Sequence, residues 1–466
     1  MNAPVFPSKR AGASDSSATG RPAWLTLPTL CIAMLIAQLD TSVVNLATRP
    51  IGADFQAGVS ALQWVIDGYN LTYAVLLLTG GLLADLYGRR RVFMAGAAIF
   101  TVASVLCAMA PSIAVLIAGR VVAGIGAALM LPAALAILRV TWPDAKARAR
   151  VLGVFTGCNG LAFIIGPTVG GLLIEDFGWR SVFFVVVPFG LGALVLAPFV
   201  VPESADPHGR RFDAAAQVLG ILALGGLAMS AIESHNATAA LLAMVIALAA
   251  LFAFIKVEAR RGNAALVPLD MFRVKAFSGA TIATAGMTFG MYGVLFLQLL
   301  HWQSSGRLDA VGAGLALVPM AVVFVGVSPF SGALQARLGT RFMTGGGVGI
   351  IGLGLLTIGA TATSASLIGP EIGLILTGLG MGLATGPLTG VAVGAVAAAR
   401  SGTAAALINV ARMVGATLGV AALGAVFALL HGGPDGLRLA MLIGGAVQVS
   451  AAAIAWFWIG RESARP

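Results

Sequence analysis

A short charged loop between two long apolar runs is the feature that most restricts the folds open to this chain. The loop covers residues 80–91, and the apolar runs 61–83 and 92–110 flank it. Three consecutive arginines, at 89–91, stand at its end. Positive charge beside a hydrophobic span is typical of the cytoplasmic face of a membrane. The segment could be a simple stop-transfer anchor or part of a larger membrane-embedded fold.

A second copy of the loop, at 332–341, argues against the simple anchor. Both copies lie between apolar runs, but Asp85 has no counterpart because Ala336 occupies its place. The aligned positions are Gly81 with Gly332, Leu83 with Leu334, Gly88 with Gly339, and Arg90 with Arg341. A repeat of this kind indicates a duplicated fold. Transporters are commonly built from such repeats, with the substrate path between them.

The apolar content of the chain requires a membrane, rather than water, as its main solvent. Hydrophobic residues make up 59% of the 466 residues and charged residues 10%, whereas a soluble domain carries roughly 25% charge. Each crossing takes about 20 residues and must be helical to satisfy its own backbone hydrogen bonds. We predict fourteen spans, at 25–47, 61–83, 92–110, 114–138, 150–173, 180–200, 213–232, 238–257, 277–300, 310–330, 342–362, 370–397, 403–430 and 438–459.

The distribution of positive charge predicts the orientation. Of the 28 lysines and arginines, 22 fall in segments on the side of the N-terminus. Two fall inside spans (Arg120 and Arg412), and the four on the other side are Arg49, Arg180, Arg307 and Arg438. Positive loops stay in the cytoplasm, so we expect a multi-pass protein of the cell inner membrane with cytoplasmic N- and C-termini. Nucleic acid is excluded as a partner, because no basic stripe lies on a polar domain.

The spans divide into groups of six, two and six. The fold class we predict is an all-α integral membrane protein with two six-helix bundles and an inserted two-helix hairpin. The three cysteines have no spacing typical of a metal site or a disulfide framework. The predicted organisation is a disordered cytoplasmic tail at 1–22, an N-terminal bundle at 23–202, the hairpin at 203–260, a cytoplasmic loop at 261–276, a C-terminal bundle at 277–460 and a cytoplasmic tail at 461–466.

Charged side chains inside the spans are the first candidates for function, because each costs roughly 2.5–3.5 kcal/mol at mid-membrane. Asp40 lies deep in the first span, Asp67 nearer the outer edge of the second, and Arg120 in the fourth. Arg120 needs a partner, and Asp40 is a candidate that could load and unload a proton. The alternatives are a packing hydrogen bond for Asp40, an outer-surface position for Asp67, and a purely structural ion pair for Arg120.

Other polar residues within the spans could line a substrate path. The candidates are Asn45, Asn70, Gln298, Asn409 and Arg412. Gln298 could instead cap its helix, and Arg412 could snorkel to the cytoplasmic surface. Core packing is the commoner explanation for four candidate apolar lining residues, Met34, Met287, Phe289 and Met291.

Together these motifs resemble the major facilitator superfamily, and within it the fourteen-helix drug:proton antiporters. The first loop is similar to the family's cytoplasmic gate signature, with matches at Gly81, Asp85, Gly88, Arg89 and Arg90. The fourth-helix motif is matched by Leu116, Arg120 and Gly124–Ala128. The antiporter motif of the fifth helix is matched by Gly153, Gly166, Pro167, Gly170 and Gly171.

Further matches cover the first helix, the end of the fifth and the thirteenth. They are Leu39–Ala47 with Pro50, Phe177–Arg180, and Asn409 with Arg412, Gly415 and Gly419. The departures from the family's pattern are Thr48, Arg49, Ala123 and Ala162. The substitution by Ala162 weakens the match to the antiporter motif, and the resemblance still covers nearly the whole chain.

The resemblance implies alternating access and proton-coupled antiport, which exports drugs, antibiotics or other amphipathic small molecules. We expect Asp40, Arg120 and Asp67 to serve proton coupling. A dedicated exporter or importer of one endogenous metabolite or siderophore would share the fold. An enzyme is disfavoured, because the sequence has no nucleotide loop, metal cluster or nucleophile–base set.

We expect no cofactor beyond the proton gradient. The expected partners are the substrate, protons and the lipid bilayer. We expect a monomer, and whether a periplasmic adaptor binds stays open.

Overall fold

Helices dominate the structure, a computed structural model that describes residues 23–205, 213–234, 236–262, 265, 267–397 and 400–459. The tails predicted at 1–22 and 461–466 lie outside these residues, as do parts of the segments 203–260 and 261–276. The helices of the first bundle, which we call the N-terminal half, are α1 (Ala23–Phe55), α2 (Val59–Tyr87), α3 (Arg89–Ala108), α4 (Ile113–Thr141), α5 (Ala145–Phe177), α6 (Ser181–Phe184) and α7 (Val186–Val200).

The remaining helices form a hairpin and a second bundle, the C-terminal half. The hairpin consists of α8 (Ala214–Ile232) and α9 (Ala237–Arg261). The C-terminal half consists of α10 (Lys275–Ser304), α11 (Ala310–Ala316), α12 (Val318–Val327), α13 (Ser331–Leu338), α14 (Gly347–Thr361), α15 (Ile368–Gly394), α16 (Ser401–Leu429) and α17 (Pro434–Trp458).

The predicted all-α membrane fold is confirmed. Thirteen helical segments of the described residues are long and apolar enough to cross a membrane. Helix α5 adds a continuous stretch of 33 residues, which agrees with fourteen crossings. Each segment is helical because a span in lipid must pair its own N–H and C=O groups.

Several predicted span boundaries were wrong. Helix α1 does not end at 47 but continues to Phe55, a length of about 50 Å at 1.5 Å per residue. The predicted span 180–200 is interrupted at Val185, between α6 and α7. The predicted span 310–330 breaks at Leu317 and again at Ser328, and it ends only at residue 338. A proline follows each of these breaks within three residues, and a proline lacks the backbone donor that an uninterrupted helix requires.

Glycines let neighbouring helices approach closely at two crossings. In the N-terminal half, a Cβ on Gly80 of α2 would overlap the backbone of Ala128 in α4. In the C-terminal half, a Cβ on Gly419 of α16 would overlap the carbonyl oxygen of Phe289 in α10. Without a hydrophobic drive between helices in lipid, such close van der Waals packing holds the bundles together.

The two halves meet closely at one end of the molecule. We call the end with the Gly88 and Gly339 loops the basic face, and the other end the opposite face. Gln63 of α2 donates to the carbonyl oxygens of Val420 (2.9 Å) and Ala421 (2.8 Å) in α16. Both partners lie toward the opposite face, as the order of the helices along the chain requires.

Two further contacts between the halves lie at the same end. Gln303 of α10 donates to the carbonyl oxygen of Leu46 in α1 at 3.1 Å. A Cβ on Gly171 of α5 would lie 2.9 Å from the Cα of Val311 in α11. These contacts hold the halves together at the opposite face. The halves also approach at the basic face, where a Cβ on Gly402 of α16 would lie 3.0 Å from the Arg139 guanidinium in α4.

The hairpin packs its first helix against both halves. Gln217 of α8 donates to the carbonyl oxygen of Val75 in α2 at 2.7 Å and accepts from the hydroxyl of Thr79. Helix α8 also contacts α16, whereas α9 is mostly exposed toward the surrounding lipid. An ion pair between Asp213 and Arg261 joins the two ends of the hairpin at the basic face.

Candidate functional site

A buried ion pair joins two helices near the middle of the N-terminal half. Nη1 of Arg120 in α4 lies 2.9 Å and 2.7 Å from the two carboxylate oxygens of Asp40 in α1. The Arg120 side chain is 2% exposed and that of Asp40 is 1% exposed. The structure thus brings together the two residues that the sequence proposed as partners.

Helix α2 completes the surroundings of the pair. Nε of Arg120 donates to the carbonyl oxygen of Val65 at 3.0 Å. The guanidinium carbon lies 4.6 Å from the ring centre of Tyr69, a cation–π distance. Contacts from α1 and α2 therefore orient this arginine of α4, and Asp40 is its one carboxylate partner among the described residues. Breaking such a pair would leave an uncompensated charge in the interior.

Asp67 lies apart from this pair, on the face of α2 that packs toward α16. Gln63, Asp67 and Asn70 recur at helical spacing on that face, and each is at most 1% exposed. Neither carboxylate oxygen of Asp67 has a hydrogen-bond partner among the described residues. The outer-surface alternative for Asp67 was wrong, because the side chain is 0% exposed and enclosed between helices. An ionised carboxylate in this position would be far costlier than a protonated one.

Two of the predicted path residues are buried between the halves. Asn45 of α1 donates to the carbonyl oxygen of Thr41 at 2.7 Å, and its own oxygen has no partner among the described residues. The oxygen of Gln298 in α10 is likewise buried without a described partner. A small cavity lies beside Asn45, lined on the side of the C-terminal half by α10 and α12.

Arg412 lies in the interior of α16 rather than at its end. The titratable side chains near it are Tyr73 of α2 and Tyr292 of α10. Its Nε is buried without a hydrogen-bond partner among the described residues. Asn409, one turn closer to the basic face, donates to the carbonyl oxygen of Ala405 at 3.2 Å.

The first charged loop is held within the N-terminal half. Asp85 pairs with Arg89 at 2.8 Å, one turn further along the chain. Gly88 between them has a φ of 104°, a left-handed conformation that favours glycine. Gly81, at the start of this segment and still within α2, lies near Pro132 of α4.

Arg90 binds the end of α7, a contact that the sequence did not indicate. Its guanidinium donates to the carbonyl oxygens of Pro198 (3.3 Å) and Val201 (3.2 Å). Carbonyl groups at the C-terminal end of a helix have no backbone N–H partner within the helix. The backbone N–H of Arg90 donates to the Glu203 carboxylate at 3.1 Å. In the second copy of the loop, Arg341 donates in the same way to the carbonyl oxygen of Ile459, at the end of α17.

The glycines of the fifth-helix motif face other helices at close range. A Cβ on Gly166 would lie 2.6 Å from the Ser42 hydroxyl in α1, and one on Gly170 would lie 2.6 Å from Val43. Gly171 and the carbonyl group of Pro167 instead face α11 of the C-terminal half. Gly153 lies further down α5. The motif therefore lies where α5 meets both α1 and the other half.

A second polar cluster, at the opposite face, was not foreseen. Asp54 at the end of α1 accepts from the Trp179 indole at 3.0 Å and from Arg180 at 2.8 Å. Arg180 also donates to the carbonyl oxygen of Ala110 at 3.2 Å. The cluster ties three inter-helix connections together. The sequence shows a charge on each side, but no spacing that would pair them.

A large apolar groove lies on the outside of the C-terminal half. It has a volume of about 580 Å³ between α10, α16 and α17, and Ser450 is its one polar lining residue among those described. Ile282 and Ile443 at its edges are more than a third exposed. Phe289 lies in this groove, so it does not serve the central path proposed for it. The groove faces lipid and lies away from the ion pair.

Comparison with known proteins is consistent across families, sequences and structures. The family model described as Major Facilitator Superfamily matches residues 30–420. The chain is 35% identical over 411 residues to the "Multidrug resistance protein Stp" of Mycobacterium tuberculosis (strain CDC 1551 / Oshkosh), covering 87% of this chain and 76% of that protein. It is 32% identical over 444 residues to the "Methylenomycin A resistance protein" of Bacillus subtilis (strain 168), covering 93% and 94%.

The fold is also that of solved transporters. The crystal structure of the POT family transporter PepTSo matches with a TM-score of 0.71 at 14% identity, covering 93% of this chain and 97% of that one. The resemblance inferred from the sequence motifs is confirmed, and the protein is a transporter rather than an enzyme. The chain belongs to the Major Facilitator Superfamily.

Proposed function

We propose that this protein is a proton-coupled antiporter that exports drugs, antibiotics or other amphipathic small molecules by alternating access. The observation that carries the proposal is the Asp40–Arg120 pair, an ionisable couple buried in the transmembrane part of a transporter. Intramembrane charges are costly and mark ion or proton pathways. The resistance named for the relatives from M. tuberculosis and B. subtilis supports the direction of transport.

The basic face lies in the cytoplasm in this account, and the N- and C-termini lie there too. The excess of lysine and arginine on that side supports the orientation. The halves are held together at the opposite face by Gln63 and Gln303. These hydrogen bonds support an inward-facing conformation, which would take up substrate from the cytoplasm or the inner leaflet.

The coupling step is the opening of the ion pair. A proton that enters from outside neutralises the Asp40 carboxylate, and Arg120 then loses its partner. Helices α1, α2 and α4 meet at this pair, so its loss changes the packing of the N-terminal half. Each inward elementary charge gains about 2.3 kcal/mol per 100 mV of membrane potential.

Asp67 serves as a second proton-binding site, on the face of α2 that packs toward α16 of the other half. In the inward-facing state its carboxyl is enclosed without a described partner, so it carries a proton. When α2 and α16 separate, water reaches the carboxyl and the proton can leave. Proton release would thus accompany the conformational change.

The loop with Asp85, Gly88 and Arg90 acts as the cytoplasmic gate latch. In the present conformation its arginines bind the end of α7 and Glu203, within one half. In the outward-facing state the loop would contact the C-terminal half and hold the basic face closed. The paired interactions of Arg90 and Arg341 with helix ends support matched roles for the two copies.

The proposal is tested with purified protein in lipid vesicles. A fluorescent amphipathic substrate should accumulate only under an imposed pH gradient of the correct direction. The Asp40→Asn variant should abolish accumulation. Because this single change leaves Arg120 unpaired and destabilises the protein, the Asp40→Asn/Arg120→Gln double variant serves as the control, and it should fail to accumulate substrate as well. Accumulation that does not depend on the gradient would refute the coupling.

A dedicated exporter of one compound is the second candidate. The relative from B. subtilis is named for resistance to a single antibiotic, methylenomycin A, which favours this alternative. Cells that express the protein should be tested against a chemically diverse panel of toxic compounds. Protection against many unrelated compounds supports the first candidate, whereas protection against one supports the second.

A further inference from the structure

We propose that the region where α16 packs against α2 and α10 binds the negatively charged group of an amphipathic organic acid through Arg412. The hydroxyls of Tyr73 and Tyr292 act as additional neutral donors. The inference rests on the proposed export function and names the substrate class of that site: carboxylates and phenolates, rather than lipophilic cations.

Arg412 lies deep within the membrane. It follows the first residue of α16 by 11 positions, which places it about 16 Å along the helix. That distance exceeds the reach of an arginine side chain, so the guanidinium does not extend to the basic face. The residue is partly exposed, and α16 packs against both α2 and α10.

The positive charge of Arg412 has no counter-charge in the part of the chain that the structure describes. Among the described residues, no carboxylate lies within 4.0 Å of its guanidinium nitrogens. Asp40 is occupied by Arg120, and Asp67 pairs with no described residue. Arg412 also makes no hydrogen bond to a described residue.

The C-terminal half cannot supply a partner from elsewhere. Between residues 271 and 461 the sequence has three carboxylates, Asp309, Glu371 and Asp435. Each lies at or just before the first turn of a helix, at the opposite face. Arg412 is separated from that face by most of the remaining length of α16. The region around Arg412 is therefore positive on the side of the C-terminal half.

Two neutral donors lie near this charge. Tyr73 and Tyr292 are titratable neighbours of Arg412, and neither hydroxyl bonds to a described residue. A carboxylate or phenolate placed among them would receive charge-assisted hydrogen bonds. A lipophilic cation at the same place would be repelled by Arg412 in a low-dielectric environment.

The proposed anion site is joined to the proton site by direct contacts. The ring of Tyr73 stacks on that of Tyr69, with centres 6.1 Å apart. The same Tyr69 ring lies against the guanidinium of Arg120. A substrate bound by Arg412 and Tyr73 would therefore contact the aromatic pair that holds Arg120 in place.

A small molecule fits the site better than a lipid headgroup. Lipid phosphates lie at the membrane surface, whereas Arg412 lies about 16 Å along the helix from the basic end. In addition, a membrane potential that is negative inside favours outward movement of a negatively charged substrate.

The test compares three fluorescent probes that differ in charge: dansylglycine, its methyl ester and dansyl-ethylenediamine. Binding is measured by fluorescence on the full-length protein in phosphatidylcholine nanodiscs, which contain no net anionic lipid to compete. The wild type should bind the acid at least tenfold more tightly than the ester, and the cation most weakly.

Two substitutions of Arg412 separate charge from folding. Arg412→Gln should weaken binding of the acid about tenfold to a hundredfold, the range expected for a lost charge-assisted hydrogen bond. Binding of the ester should change less than twofold. Arg412→Lys should retain most of the preference for the acid. The matched control Arg438→Gln removes an exposed arginine near the opposite face and should leave all three affinities unchanged.

Equal binding of the acid and the ester by the wild type would overturn the anion site and leave the export function standing. So would an Arg412→Gln variant that is correctly folded and keeps the preference for the acid. Failure of the wild type to bind any probe would overturn the anion site as well. Loss of proton-driven export for all tested compounds would instead refute the underlying transport function.

Discussion

Removal of one partner from the Asp40–Arg120 pair should be strongly destabilising. In Arg120→Gln, Asp40 loses the two hydrogen bonds at 2.9 Å and 2.7 Å while it stays 1% exposed. The carbonyl of Val65 and the ring of Tyr69 also lose their contacts with the guanidinium. Loss of one member of a buried ion pair typically costs about 3–5 kcal/mol. We expect a cost in this range.

Removal of both charges should cost much less than removal of one. The combination of Asp40→Asn with Arg120→Gln leaves two neutral amides of similar shape in place of two opposite charges. Replacement of a buried pair by neutral groups is often close to neutral for stability. The interaction free energy of the two side chains is obtained from the unfolding free energies of the wild type, the two single variants and the double variant. It should therefore be about 3 kcal/mol or more.

The assay is equilibrium unfolding in mixed detergent micelles, followed by tryptophan fluorescence, for the wild type, the two single variants and the double variant. Transport should be lost in all three variants, because the double variant regains stability but not the proton site. Effects on stability that simply add would refute the account, since they would mean that the two side chains do not interact. A double variant that transports with proton coupling would refute the coupling role of the pair.

Three further predictions concern the contacts between the halves and the first charged loop. Gln63→Leu removes the two hydrogen bonds that join α2 and α16 at the opposite face. It should shift the equilibrium between the closed and open opposite face about 5- to 30-fold toward the open state. Distances between spin labels across that face should lengthen, and unchanged distances would contradict the assignment. Gly314→Val would place side-chain atoms against the backbone of Pro167. It should therefore prevent closure at the opposite face and slow transport. Transport at the wild-type rate would refute the role of this close contact. Glu203→Gln should cost no more than about 1 kcal/mol in the same unfolding assay, because its two arginine partners, Arg90 and Arg91, lie 3.7 Å and 3.8 Å away and its own side chain is 29% exposed. A loss of several kcal/mol would show a larger role for the loop contact.

The sequence was most informative where physical alternatives were few. Only a handful of charges fall inside apolar spans, and a buried arginine needs a carboxylate, so Arg120 and Asp40 could be proposed as partners. The repeat of the glycine and arginine loop predicted two related halves. The structure adds that Arg90 and Arg341 each bind the end of the last helix of a half.

Contacts that depend on the relative placement of helix ends could not be predicted. Asp54 and Arg180 are 126 residues apart, and no spacing relates them. Glu203 follows α7 as an ordinary loop residue, and its contact with Arg90 depends on how α3 and α7 pack. The candidate lining residues Met287 and Met291 are only 2% and 3% exposed and belong to the packed core. The sequence could not show this, because hydrophobic character alone does not distinguish a cavity wall from the core.

The linker before α10 offers one interaction that lies outside the membrane spans. Asp270 pairs there with Arg400, just before α16. The hydrogen bond from the Arg400 guanidinium lowers the pKa of the Asp270 carboxyl below its ordinary value. Both groups are accessible to solvent, so we assign the contact a small stabilising effect, lost as the pH falls through the lowered pKa.

The central claim is that substrate export and proton entry occur through one coupled mechanism. The most direct test loads vesicles that contain the purified protein with a pH-sensitive dye and imposes a substrate gradient, with no initial pH difference. Protons should move against the direction of substrate flow in the wild type, and this movement should be absent in Asp40→Asn. Substrate flow through the wild type without any proton movement would contradict the account.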